Sequence, residues 1–195
     1  MQAMKNKRLI RCFIAISLIL LFGAGDALAQ QRYRIGGKLA FDVTTREQER
    51  IDVGDTKGHL LEWNRIRGTN TSTGGDTFMD GAQVDLMGLS DTVMGNGMHM
   101  GYLKMSLEGD SVYFKLEGEI LTTTTPEGSS SEDLPTITFE STYTDTFSII
   151  QGTGKYQGIK GVGFIRGEVT VKVEKGELVS RTGTVEWRGT AFIKK

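Results

Sequence analysis

Six side chains carry most of the chemistry this sequence can offer: His99, Tyr143, Asp145, Arg181, Trp63 and Trp187. His99 alternates with Leu103, Met105 and Leu107, so in a strand it shares their apolar, inward face. A neutral imidazole in that setting can orient a ligand or move a proton near pH 7; the structural alternative is a core histidine bonded to a neighbour. Asp145 lies among Ile137, Phe139, Ser141, Tyr143, Phe147 and Ile149, with Glu140 and several threonines on the opposite face. Arg181 shares a face with Val179, Val185 and Trp187. Because a buried charge needs a partner, this pattern predicts an Asp145–Arg181 pair inside the protein or near an opening that water reaches. Such a pair is a site candidate or a purely structural bridge.

Two further patterns have specific chemical readings. Met94, Met98 and Met100 beside His99 offer soft thioether ligands of the kind that hold copper(I). However, Met98 and Met100 fall on the face opposite His99 and cannot converge with it, so ordinary packing and no metal site are expected. The run Gly152-Thr153-Gly154-Lys155-Tyr156-Gln157-Gly158-Ile159-Lys160-Gly161-Val162-Gly163 superficially suggests phosphate binding. A phosphate loop needs Ser or Thr directly after Gly-Lys, where Tyr156 stands, and a dinucleotide fingerprint needs a helix where the residues after Gly163 alternate as a strand. The glycines are therefore read as turns and close backbone approaches, with no cofactor implied.

The N-terminus carries Lys5, Lys7, Arg8 and Arg11, an apolar run from Cys12 to Phe22, and Ala27-Leu28-Ala29. This is the pattern of a signal peptide cleaved after Ala29, and the apolar run is too short to serve as a stable membrane anchor. Cleavage would take Lys+Arg from 23 to 19, Asp+Glu from 24 to 23 and the formal charge from −1 to −4. That balance disfavours a nucleic-acid partner. It also removes the single cysteine, Cys12, so a secreted or periplasmic chain of residues 30–195 would fold as one domain without disulfides. The sequon Asn70-Thr71-Ser72 matters only in a eukaryotic secretory pathway.

The positioning elements are strands. The chain holds 26 glycines and 2 prolines, and no long segment has a 3.6-residue period. Eight strands are predicted, at Tyr33–Thr44, His59–Arg67, Thr77–Met87, Gly97–Glu108, Ser111–Thr123, Pro135–Ile150, Ile159–Glu174 and Glu177–Ile193. Arg46–Lys57 and Pro126–Pro135 read as surface loops. Long hairpins with one apolar face and no covering helix are best satisfied by closing the sheet into an all-β, eight-stranded antiparallel barrel, with a two-sheet sandwich as the alternative.

The glycine run, preceded by Phe147-Ser148-Ile149-Ile150, resembles the glycine motif of allene oxide cyclase barrel proteins, in the branch of small secreted bacterial members. Gly95-Asn96-Gly97-Met98-His99-Met100-Gly101-Tyr102 and Gly109-Asp110-Ser111-Val112-Tyr113 are similar to a hairpin of the same proteins. The resemblance spans residues 95–193 and implies an eight-stranded, calycin-like barrel with an apolar lumen. More distantly it extends to plant allene oxide cyclases and dirigent proteins, which shape the course of a reactive intermediate; it transfers no functional residue.

Three functions follow as expectations. The first is a barrel that binds a small apolar molecule, with Trp63, His99, Tyr143, Asp145, Arg181 and Trp187 as candidate lining. The second is a cofactor-free cyclase or isomerase in which one lumen acid or base suffices. The third is a structural or homo-oligomeric surface protein using Val162, Phe164 and Phe192, whose alternation puts them outside.

Overall fold

The computed structural model describes residues 30–73, 77–127, 136–175 and 177–194; the signal-peptide segment 1–29 lies outside them. Eight strands follow in order: β1 (Gln30–Asp52), β2 (His59–Ser72), β3 (Gln83–Val93), β4 (Asn96–Leu107), β5 (Asp110–Glu127), β6 (Thr136–Gly152), β7 (Lys160–Glu174) and β8 (Glu177–Lys194). Each pairs antiparallel with its neighbours in sequence, and β8 returns to β1, from Gln30↔Lys194 to Leu39↔Val185, closing the barrel. Closure leaves no free sheet edge, which settles the choice against a sandwich.

Short turns hold the register. Glu108-Gly109 and Met94-Gly95 each join two strands through consecutive residues with positive φ (53° and 88°; 53° and 80°), the twist that a two-residue hairpin turn requires. Charge lies outside: Lys38 pairs with Glu186, and Arg166 with Glu168, on exposed faces. The inner face carries the apolar core cluster, including Ile35, Leu39, Leu103, Phe114, Phe147 and Trp187.

Two predicted elements are corrected. Arg46–Lys57 is not wholly a loop, because β1 resumes after a register shift between Asp42 and Glu47 and runs to Asp52 opposite β2. Its Glu47 and Arg50 stand opposite Arg65 and Glu62 in the ladder, with their own side chains on the exposed face. Thr77–Met87 is not one strand: Asp80 to Gly81 turn, and β3 begins only at Gln83. Asn70 is responsible. It is 0% exposed; its Nδ2 donates to the Met79 carbonyl (2.8 Å), its Oδ1 accepts from Trp187 Nε1 (2.8 Å), and its backbone N–H donates to Ala82 O (2.9 Å). The sequon asparagine is thus a fully bonded internal staple that no glycosylating enzyme can reach in the folded protein. Of the second predicted loop, Pro126 and Glu127 belong to β5 and 128–135 lie outside the described residues.

One end of the barrel is filled. The β2–β3 connection inserts Phe78, Met79 and Ala82, and the β6–β7 connection, with its short 3-10 turn at Gly154–Tyr156, inserts Tyr156 and Ile159. Phe78, Tyr156, Phe114, Phe147 and Trp187 meet edge to face, with centroids 5.3–6.1 Å apart. Each such contact adds about 0.5–1.5 kcal/mol to the burial. The glycine run proves structural: a Cβ on Gly163 would lie 2.2 Å from Arg188 O and 2.5 Å from the Phe147 ring, so that glycine seats the ring in the floor.

A polar pair in a cavity at the open end

Above this floor side chains do not fill the lumen. A cavity of about 470 Å³ is walled by Leu39, Phe41, Ile66, Leu86, Leu103, Leu116, Ile120, Ile165, Val169 and Val185. Its space comes from inward-facing glycines, since Gly88, Gly101, Gly167 and Gly183 all border it where the floor carries rings. The polar groups on its wall include Arg46, Glu62, Asn64, Ser90, His99, Tyr143 and Asp145.

Most of these groups follow one line across the sheet. The ladder aligns Glu62↔Ser90, Ser90↔His99, His99↔Gly118, Gly118↔Asp145, Asp145↔Ile165 and Ile165↔Trp187. Because barrel strands tilt, a line perpendicular to them winds along the axis, here from the rim at Glu62 to the floor at Trp187. His99 and Asp145 stand two strands apart, about 10 Å between backbones. Gly118 stands between them without a side chain. His99 Nε2 and Asp145 Oδ1 therefore meet over the glycine at 2.7 Å. The fit is tight: a Cβ on Gly118 would lie 2.1 Å from Asp145 Oδ1.

Burial governs the protonation of the pair. Asp145 is 4% exposed, and desolvation pushes its carboxyl up to about 7. Desolvation lowers the His99 imidazole from its ordinary value. Both shifts favour the uncharged pair, a protonated Asp145 beside a neutral His99. The Tyr143 ring stacks on the imidazole at 5.6 Å between centroids, fixing its plane.

At the rim, Arg46 Nη2 donates to Glu62 Oε1 (2.6 Å), and Arg50 Nε donates to Glu62 Oε2. This cluster holds the upper part of β1 to β2. Outside the cavity, His59 bridges Asp55 (2.5 Å) and Asp91 (2.7 Å), and these hydrogen bonds raise its pKa.

Of the six residues singled out in the sequence, the structure brings His99, Tyr143 and Asp145 together on the cavity wall. Trp187 faces inward but is packed into the floor beneath the cavity. Trp63 is a correction: it lies on the outer face, 37% exposed, because the inward residues of β2 are Glu62, Asn64 and Ile66. The expected Asp145–Arg181 pairing is also corrected. Asp145 is opposite Ile165, whereas Arg181 is opposite Val171, six residues and about 20 Å further along β7. The Arg181 side chain lies outside the described residues. Met98 and Met100 point outward, away from His99. Val162 and Phe164 are exposed as expected, and Phe192 is half-buried.

Sequence reasoning missed Arg46, Glu62, Ser90 and Gly118. Trp63 was expected in the lining, whereas the inward residues of its strand are the polar Glu62 and Asn64 with Ile66. A cavity rim reverses the usual pattern by placing polar residues inside. The available signal was Gly97-x-His99-x-Gly101, which clears space on the histidine's own face. Compared with protein-family models, curated proteins and solved structures, the chain finds no match.

Proposed function

We propose that this protein binds a small, largely apolar molecule in the open half of its barrel. The carrying observation is the 470 Å³ cavity with an apolar wall and a few convergent polar groups. That volume and lining are typical of small-molecule sites, and the filled floor rules out passage through the barrel. The polar groups on one wall supply orientation: a ligand with a carbonyl, hydroxyl or similar group gains by turning it toward His99 and Ser90 and its apolar body toward Leu86, Leu103 and Ile120.

The signal-peptide pattern and the resemblance to allene oxide cyclase barrel proteins support the same reading, that of an exported, secreted or periplasmic binding barrel. Export also favours a protein that needs no nucleotide from the cytoplasm. The test is mass spectrometry of material that copurifies with the protein from its native compartment. A stoichiometric apolar molecule is the expected result; a cavity that carries nothing and takes up no apolar probe would refute the proposal.

A further inference from the structure

We propose that His99 and Asp145 form an acid–base pair that takes a proton from carbon and returns it to carbon on a ligand in the cavity, making the barrel a cofactor-free isomerase. This inference rests on the cavity being a binding site and goes beyond it. Three observations carry it. The pair lies on the wall of a cavity whose lining is mostly apolar. Its only hydrogen bond among the described residues joins His99 Nε2 to Asp145 Oδ1, so the imidazole Nδ1 has no protein partner there. Gly118 keeps the pair in contact across two strands at the cost of a position where any side chain would collide.

The chemistry follows from the tautomer. A carboxylate at Asp145 accepts from Nε2–H and leaves the lone pair on Nδ1, which makes His99 the catalytic base and Asp145 the residue that positions it. When Nδ1 takes a proton, the Nε2 proton can pass to Asp145. The substrate class is a small apolar molecule with a C–H bond activated by a carbonyl. That bond breaks, its electron pair enters an enolate, and the imidazolium returns the proton to a second carbon. Atoms balance, and nothing is oxidised or reduced. The other groups facing the pair are Tyr143 on β6, Ser90 on β3, and Glu62 with Arg46 at the rim. The Glu62 carboxylate is already held by Arg46 and Arg50.

The probe for such a base is 5-nitrobenzisoxazole, whose ring C–H is removed while the N–O bond breaks to give a coloured phenolate. The full folded protein should turn it over with saturation. His99→Gln and Asp145→Asn should each lower the rate about 10²-fold or more. In the wild type the rate should rise with pH through about 7, and Asp145→Asn should displace that midpoint. His59→Gln, outside the cavity, should leave the rate unchanged. Binding is read separately, by displacement of the fluorescent apolar probe N-phenyl-1-naphthylamine. If 5-nitrobenzisoxazole displaces the dye but wild type, His99→Gln and Asp145→Asn open it at one rate, the acid–base inference is overturned while the binding proposal stands. If neither molecule binds, both fail.

Discussion

Replacing Gly88 by leucine should fill the cavity while strengthening the fold. Gly88 lies on the cavity wall, and a Cβ there would meet nothing closer than the Asn64 side-chain amide at 3.6 Å and Met100 O at 3.7 Å. Gly101, on the same wall, would instead collide with Met87 O at 2.6 Å, so the position matters. Removing a strand glycine recovers about 0.5–1 kcal/mol. Full burial of a leucine side chain adds about 1.5–3 kcal/mol, and roughly half of that is appropriate in a cavity open at one end. The net gain of about 1–2 kcal/mol should raise the Tm by about 2–8 °C for a domain of this size. The four added carbons occupy space that a ligand would use. At about 0.8 kcal/mol per buried methylene they remove about 3 kcal/mol of ligand burial, equivalent to about 10²-fold in Kd. Thermal unfolding and N-phenyl-1-naphthylamine titration measure the two effects. A dye affinity within about threefold of wild type would show that ligands do not occupy this space. A lower Tm would show that the space is not there to fill.

Four other outcomes follow from the same geometry. Gly118→Ala should cost more than about 2 kcal/mol in denaturant unfolding, because its Cβ would lie 2.2 Å from Thr144 O as well as against Asp145; an unchanged midpoint would contradict the row of packing described above. Asn70→Leu should cost about 2 kcal/mol by orphaning the buried Trp187 Nε1–H and removing the side-chain bond to Met79 O, which keeps only the Ala82 N–H, seen as a Tm lower by about 4–8 °C. Asp145 is held above its ordinary 3.8, so the folded protein keeps a proton there that the unfolded chain loses; its contribution is full below about pH 4 and lost as the pH rises through about 7. Asp145→Asn should therefore be more stable than wild type at pH 8, with an advantage that shrinks toward pH 4, and chemical denaturation at both pH values checks the sign. Trp63→Phe should leave dye binding unchanged, since Trp63 lies outside the barrel; a loss of dye signal beyond that of the tryptophan itself would restore it to the site.

The closed eight-stranded barrel was legible because period-2 alternation on β4, β5 and β6 is strong and every strand has a sequence neighbour to pair with. The inward placement of His99, Tyr143 and Asp145 was legible for the same reason. Their partnership was not. Alternation tells which face a side chain takes, but the meeting of His99 with Asp145 depends on register across three strands and on the missing side chain of Gly118. A plausible charge partner at Arg181 was chosen instead, because sequence shows sign and hides the distance along β7. The Thr77–Ala82 segment failed differently: it has strand-like composition, but Asn70 binds its backbone carbonyls and turns it into the floor. The apolar band of Met87, Leu89, Met98, Met100 and Tyr102 on the outer faces of β3 and β4 was likewise invisible until neighbouring strands were in place.

The central claim, that ligands enter the glycine-cleared half of the barrel, is tested most directly by amide and methyl chemical-shift mapping during titration with N-phenyl-1-naphthylamine. The account predicts saturable shifts at Ile66, Leu86, Gly88, His99 and Leu103, with Phe78 and Tyr156 in the floor little changed. Shifts confined to the outer residues Trp63, Met87, Met98 and Tyr102, with the inner wall silent, would contradict it.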